Sequence, residues 1–189
     1  MIERKLKFQR EADPEWARRI SERPGCEGLS SCLQCGACSG ACPLSIYMDY
    51  SPRRIIALVR EGFRKEALSS KTIWLCASCY SCVVHCPRRI HVTDVMYSLK
   101  REAMQQRLYP RRFPIPVLAQ EFFKIVRKNG RNSEFWLILR TALRSNPLIL
   151  LGMLRIGWDL VRTGRFTLAR ERIAGAAGLS RKLAGPEVG

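Results

Sequence analysis

Apolar positions along this chain recur at intervals of three and four, the spacing of one face of a helix, and no stretch alternates strongly enough to predict a strand. Asp13-Pro14-Glu15 supplies an N-cap, a proline at the first helical position and an acid in the first turn. A short helix to about Glu22 follows, ended by Pro24-Gly25. Ser51-Pro52 is a second start signal, and Ile55, Ile56, Val59 and Phe63 fall near one face, predicting an amphipathic helix over 52–62. Glu66 to Leu68 adds one further turn. Thr93 or Asp94 caps the next helix, whose stripe is Val95, Met96, Leu99 and Ala103 and whose stop is Tyr109-Pro110. Beyond it, Leu118, Phe122, Ile125 and Val126 mark a helix closed near Asn129-Gly130, and Trp136, Leu139 and Leu143 mark another. Pro147 opens a third, with Leu151, Leu154, Trp158 and Val161 on one face and Gly164 after it. The tail from Arg165 is basic and rich in small residues, a weak helix or a disordered arm. The expected fold class is all-α.

Two cysteine runs interrupt this helical pattern. The first is Cys32-Leu-Gln-Cys35-Gly-Ala-Cys38-Ser-Gly-Ala-Cys42-Pro43. The second is Cys76-Ala-Ser-Cys79-Tyr-Ser-Cys82-Val-Val-His-Cys86-Pro87, 44 residues further on. Both read C-x2-C-x2-C-x3-C-P, the run of bacterial two-cluster ferredoxins. A cubane has four iron corners, each needing a thiolate. Three cysteines spaced by two residues wrap three corners while the loop amides point at the sulfurs. The fourth corner faces away, and in two-cluster ferredoxins the cysteine before the proline serves the other cluster. The spacing therefore predicts Cys32, Cys35, Cys38 and Cys86 on one [4Fe-4S] cluster, and Cys76, Cys79, Cys82 and Cys42 on a second. Structural zinc is the alternative for C-x2-C pairs, but zinc sites use two such pairs and not two quartets ending in Cys-Pro.

Neighbouring residues carry less. Cys26, the ninth cysteine, reads as an inert buried thiol, with a redox-active thiol or alternative ligand as the other options. His85 is expected to line a cluster without ligating it, and His91 also sits near the second run. Ser39, Ser78, Ser81 and Tyr80 stand between ligands, where hydroxyls either donate to sulfur or are ordinary loop polar groups. Arg88 and Arg89 either raise the potential of a nearby cluster or form a solvated pair.

Charge narrows the partners. The formal net charge is +17, from 33 basic and 16 acidic residues, and the part after Ile90 is the more positive. Eight thiolates around two cluster cores lower that figure by about four. A chain this basic suits an acidic protein, a nucleic acid or an anionic surface. The charged N-terminus has no apolar core of a secretory signal, and the most apolar stretch, Phe135 to Val161, is broken by Arg140, Arg144, Arg155 and Asp159. A cytoplasmic setting, where thiols stay reduced, is the expectation. No catalytic acid–base pair, triad or nucleotide loop is present, and Gly36 and Gly40 are loop glycines and not a dinucleotide fingerprint.

The 33 residues between Cys42 and Cys76 read as helix, which is similar to the α-helical ferredoxin fold of fumarate reductase iron–sulfur subunits. The wording of residues 32–43 (CLQCGACSGACP), of Met48-Asp-Tyr-Ser-Pro-Arg-Arg-Ile-Ile and of Thr72-Ile-Trp-Leu-Cys-Ala-Ser-Cys-Tyr-Ser-Cys resembles the C subunit of heterodisulfide reductase, a two-cluster α-helical ferredoxin family. Ile90-His-Val-Thr-Asp-Val-Met-Tyr-Ser-Leu-Lys and Val126-Arg-Lys-Asn-Gly-Arg continue the resemblance, close over about 13–130 and looser to about 166. It implies an electron relay, an oxidoreductase component without a substrate site of its own. Such a relay takes electrons from the flavin and iron–sulfur protein of the complex (its A component) or from a membrane cytochrome. It passes them to the catalytic protein (its B component). The disulfide of that partner is a coenzyme heterodisulfide in methanogens, and carrier-bound sulfur is handled by a related complex in sulfur oxidisers. The implied organisation is an α-helical ferredoxin domain over 1–110, a partner-binding helical extension over 111–166 and a basic tail over 167–189. The alternatives are the iron–sulfur subunit of another oxidoreductase, of fumarate-reductase or glycolate-oxidase type, and a basic nucleic-acid-binding protein with structural clusters.

Overall fold

In the computed structural model the described residues are 9–109, 113–164 and 172–183, with the side chains of 149, 151, 153 and 154 outside the description. They form helices and turns and, among the described residues, no strand. No helix among them is long and apolar enough to cross a membrane. The chain divides into two compact units, Met1–Pro110 and Arg111–Gly189.

In the first unit, α1 (Pro14–Ser21) starts where the sequence predicts: Asp13 Oδ1 accepts the Trp16 amide at 2.9 Å. The helix α3 (Pro52–Arg60) also begins at its proline, and its cap is tertiary. The amide of Arg53 donates to Ser39 Oγ at 3.0 Å, so a serine of the first cysteine run caps the start of the helix that follows it. The expected extra turn at Glu66–Leu68 is a separate helix, α4 (Arg64–Ser69). Gly62 allows that break: at φ +79° it lies so close to Asp13 that a Cβ would stand 2.5 Å from the Asp13 carbonyl oxygen.

The long helix α7 (Val92–Gln105) begins earlier than expected, after His91, so neither Thr93 nor Asp94 caps it. Thr93 is buried in the first turn instead. Three four-residue helices, α2 (Ala37–Gly40), α5 (Thr72–Leu75) and α6 (Ser81–Val84), lie in or beside the cysteine runs. Helix α7 packs against α4, α5 and α6, while α3 packs against α1, α2 and α4. Between them Trp16, Ile55, Val59, Leu68, Ile73 and Leu99 are fully buried.

Two carboxylates hold this packing together. Glu102 on α7 is 4 % exposed. It accepts from Trp16 Nε1 at 2.8 Å, Arg23 Nη2 at 2.7 Å and Gln106 Nε2 at 2.9 Å. Arg64 Nε stands 3.3 Å away as an ion pair without hydrogen-bond alignment. One buried charge thus ties α1, α4 and α7. Asp49, in the loop after the first run, accepts from the amides of Lys71 (2.8 Å) and Thr72 (2.9 Å) and from Thr72 Oγ1 (2.6 Å). These amides begin α5, whose end delivers Cys76. Partial burial pushes the Asp49 carboxyl up, but the bonds from Thr72, Lys71 and Tyr50 outweigh it and hold the group below its ordinary value of 3.8.

The second unit contains α8 (Pro114–Asn129), α9 (Glu134–Ser145), α10 (Leu148–Arg162) and α11 (Ala176–Lys182). Helix α8 packs on α9 and α11, and α10 on α9. Glu121 is 2 % exposed and meets Lys124 Nζ at 3.1 Å, the Arg144 guanidinium, and Arg140 at 4.0 Å. Ile173 donates its amide to Asn129 O at 3.0 Å, which fastens the segment before α11 to the end of α8. Part of the tail from Arg165 is therefore a short helix, and its residues 165–171 and 184–189 lie outside the described ones. Leu151 and Leu154 of the expected α10 stripe also lie outside the described side chains. Trp158, on a stripe expected to pack between helices or in part to meet a partner, is 71 % exposed, and no helix covers it among the described residues.

Replacing Glu102 by Leu is expected to destabilise the protein by about 3 kcal/mol, since Arg23, Arg64 and the Trp16 indole lose their shared acceptor. Denaturant unfolding checks this, with Glu102→Gln losing less. For Asp49 the folded pKa is depressed, so its contribution is present above the ordinary value and lost as pH falls through the folded one. Solvent screens this surface carboxylate, and Asp49→Ala should cost about 1 kcal/mol at neutral pH. The difference between wild type and variant should be flat down to about pH 5 and shrink below about pH 4.

Candidate metal centre

The two cysteine runs adopt the same backbone course. In each, the residue before the second cysteine is left-handed: Gln34 and Ser78, both at φ 56°. The residue after it is left-handed too: Gly36 at φ 89° and Tyr80 at φ 59°. These turns start α2 and α6, which carry Cys38 and Cys82. A 3-10 turn (Leu29–Ser31) leads into Cys32 as α5 leads into Cys76. Left-handed residues between right-handed ones turn successive N–H groups inward, a nest for anionic sulfur. Gln34 N points at Cys32 Sγ at 3.5 Å, and Ile90 N at Cys86 Sγ at 3.3 Å.

The runs frame two cavities. One, with about 380 Å³ of open space, is lined by Cys32, Cys35, Cys38 and Cys86. The other, with about 420 Å³, is lined by Cys76, Cys79, Cys82 and Cys42. Each thus receives three thiols from one run and the last thiol of the other. Helices α2 and α6 pack side by side, and Ser81 Oγ donates to Ala41 O at 3.1 Å to join the runs directly. Val92, at the start of α7, lines both cavities. Among the described residues no three His, Cys, Asp or Glu side chains lie close enough together to share one ion. The sulfurs stand around the rims of the two spaces and do not meet at a point.

Burial pushes the Cys38 and Cys82 thiols up, with neighbouring thiols of both runs adding to it at Cys38. Ser39 and Thr93 oppose the shift through hydrogen bonds, Thr93 Oγ1 lying 3.6 Å from Cys82 Sγ. Crowded, partly buried thiols of this kind favour the protonated form alone and the thiolate once a cationic centre is present. Soft sulfur donors, inward amides and largely apolar walls fit an iron–sulfur cubane in each cavity. Cys35 and Cys79 are exposed, so each cavity has one thiol at the surface.

Several expected roles move. His85 is exposed and lines neither cavity: its Nδ1 reaches Ser81 O at 2.9 Å across one turn of α6, which turns the ring away. His91 pairs with Asp94 at 3.2 Å. Ser39 caps α3 and Ser81 bridges the runs, while Ser78 and Tyr80 line the second cavity. Arg88 lines the first cavity; Arg89, left-handed at φ 53°, does not. Cys26 is fully buried, apart from both cavities, with its thiol pushed up by burial. The sequence reading missed Arg53, a wall of the first cavity, and Arg60, whose Nη1 donates to Cys32 O at 2.8 Å. Both belong to α3, and a helical period that places Ile55, Ile56 and Val59 inward leaves them beside the first run.

Residues 28–90 match the family described as 4Fe-4S dicluster domain. Among curated proteins, the chain is 37% identical over 91 residues to the C subunit of the H2:CoB-CoM heterodisulfide, ferredoxin reductase of Methanothermobacter marburgensis, covering 48% of this chain and 49% of that one. It is 39% identical over 92 residues to the C subunit of the ferredoxin:CoB-CoM heterodisulfide reductase of Methanosarcina acetivorans, covering 49% and 37%. A heterodisulfide reductase C-subunit-like protein of Archaeoglobus profundus is 34% identical over 93 residues, covering 47% and 50%. The chain spans about half the length of the curated relatives it matches, or less. Residues 28–90 are similar to the 4Fe-4S dicluster domains, and over about half of its length the chain is similar to the C subunit of heterodisulfide reductases.

Proposed function

We propose that this chain is the electron-transfer iron–sulfur subunit of a heterodisulfide-reductase-like complex, holding two [4Fe-4S] clusters. Cys32, Cys35, Cys38 and Cys86 would ligate one, and Cys76, Cys79, Cys82 and Cys42 the other. The observation that carries the reading is the pair of four-thiol cavities, each completed by the other run's last cysteine. Bound clusters supply one-electron transfer and nothing more.

The chain's own residues do the rest. The nests at Gln34–Gly36 and Ser78–Tyr80 hold the anionic sulfurs with backbone amides. Val92 contributes an apolar side chain to the wall of both cavities. Exposed Cys35 and Cys79 leave each cavity an approach from outside, as a relay between two partners needs. On this reading electrons enter from a flavin and iron–sulfur protein and leave to a catalytic protein that handles a disulfide or carrier-bound sulfur, the two remaining components of such a complex. The basic second unit would serve as a docking arm for such partners. A reducing compartment, the cytoplasm, suits nine free thiols.

Anaerobically purified protein should be brown and contain about eight iron and eight acid-labile sulfide per chain. A preparation holding zinc and no iron overturns the reading. Spectra of the single variants test the ligand sets. Cys42→Ser should resemble Cys79→Ser, and Cys86→Ser should resemble Cys35→Ser. If Cys42→Ser instead resembles Cys35→Ser, each run serves a single cavity and the crossed assignment is wrong. Affinity purification from the native cells, followed by identification of the bound proteins, tests the complex.

A further inference from the structure

The two cavities differ in charge far more than in shape. Arg53 and Arg88 line the first. Arg53 Nη1 reaches Gln34 O at 3.5 Å, which holds its guanidinium over the loop between Cys32 and Cys35. A third guanidinium, that of Arg60, donates to the carbonyl of Cys32 itself. The second cavity is walled by Leu44, Met48, Tyr80, Thr93 and Met96 and, among the described residues, has no charged residue in its lining. Beside it, Lys100 Nζ donates to Cys76 O at 3.1 Å. Against that stands the Asp49 carboxylate at the start of α5, the four-residue helix that ends at Cys76.

Adding an electron to a cluster adds negative charge. Cations around it favour the reduced state, and an apolar or anionic surround disfavours it. Resting on the cluster reading above, we propose that Arg53, Arg88 and Arg60 are positioning charges that hold the first cavity's cluster at the higher potential, so that an electron shared by the pair resides there. In the step so biased, one electron leaves the second cavity's cluster and enters the first. The electron is supplied to the pair by a low-potential one-electron donor. No bond forms or breaks and no proton moves. Val92 lines both cavities, so the two adjoin. Arg53 and Arg88 are exposed, so salt screens them and the separation of the two potentials narrows as ionic strength rises.

The test is a redox titration of the purified holoprotein followed by electron paramagnetic resonance. Wild type should show two midpoints. The double variant Arg53→Gln/Arg88→Gln should lower the upper one by an equilibrium factor of roughly tenfold, which is about 59 mV for one electron, and leave the lower in place. Arg53→Lys/Arg88→Lys should restore it, since charge and not the guanidinium fork is what acts. Lys100→Gln should lower only the lower midpoint. If iron and sulfide are at full content and the double Gln variant moves neither midpoint, or moves only the lower, this inference falls while the cluster reading stands. If the protein contains no iron–sulfur clusters, both fall together.

Discussion

Each cavity closes only because the last cysteine of one run crosses to the other. A short loop with thiols two residues apart can surround one side of a compact body and cannot reach its far corner. Cys42 and Cys86 fill those far positions reciprocally, so neither cavity is complete unless both runs are in place. The helices around the runs then become requirements and not decoration. Helix α3 must cover the first run, α7 must stand behind both, and α5 must present Cys76 at the correct height. Glu102 and Asp49 supply the two long-range ties that fix these positions. One pulls α1 and α4 to α7, and the other fastens the exit of the first run to the entry of the second.

The repeated backbone course shows what this crossing demands locally. Left-handed residues flank the second cysteine of each run. In the first run one of them is Gly36, which adopts φ 89° without a Cβ penalty. In the second the same place is taken by Tyr80, for which a left-handed backbone costs about 1 kcal/mol. The ring compensates by lining the second cavity while remaining 46 % exposed, so it screens that cavity from water as a glycine could not. The two halves thus share a backbone solution and differ in what they place around it.

How much of this could be read beforehand depended on the range of the interaction. Helices opened by Pro14 and Pro52, and the end of α8 at Gly130, were readable because caps and prolines act within a few residues. The cysteine spacing was readable because a loop of twelve residues sets its own geometry. The start of α7 was misplaced because Thr93, a good N-cap by composition, faces Cys82 from inside the first turn. Asp49 gave no local sign of its role, since its partners Lys71 and Thr72 lie over twenty residues away and are found only by folding. Arg53 carried no reading of its own in the sequence. What singled it out was α3 lying across the first run. Tyr80 and His85 illustrate the same limit, for the left-handed turn and the direction of α6 decide which of them faces a cavity.

Two helices supply part of what distinguishes the cavities, and loop residues, Arg88 at the first and Leu44, Met48 and Tyr80 at the second, supply the rest. Helix α3 brings Arg53 and Arg60 to the first, and α7 brings Thr93 and Met96 to the second while sharing Val92 between them. Both helices are amphipathic in the ordinary way, each with one face committed to the core. Arg53 sits at the margin of that face on α3, where substitution alters the electrostatic environment and leaves the packing largely intact, whereas Val92, Thr93 and Met96 of α7 are buried. A symmetric sulfur scaffold can therefore acquire a direction without any change to the ligands. Charge placed along one bordering helix is sufficient, because a charge beside one cavity acts more weakly on the other as distance and salt attenuate it. The core of the unit fixes where the two thiol-lined cavities sit, and the residues that border them fix how unlike their linings are.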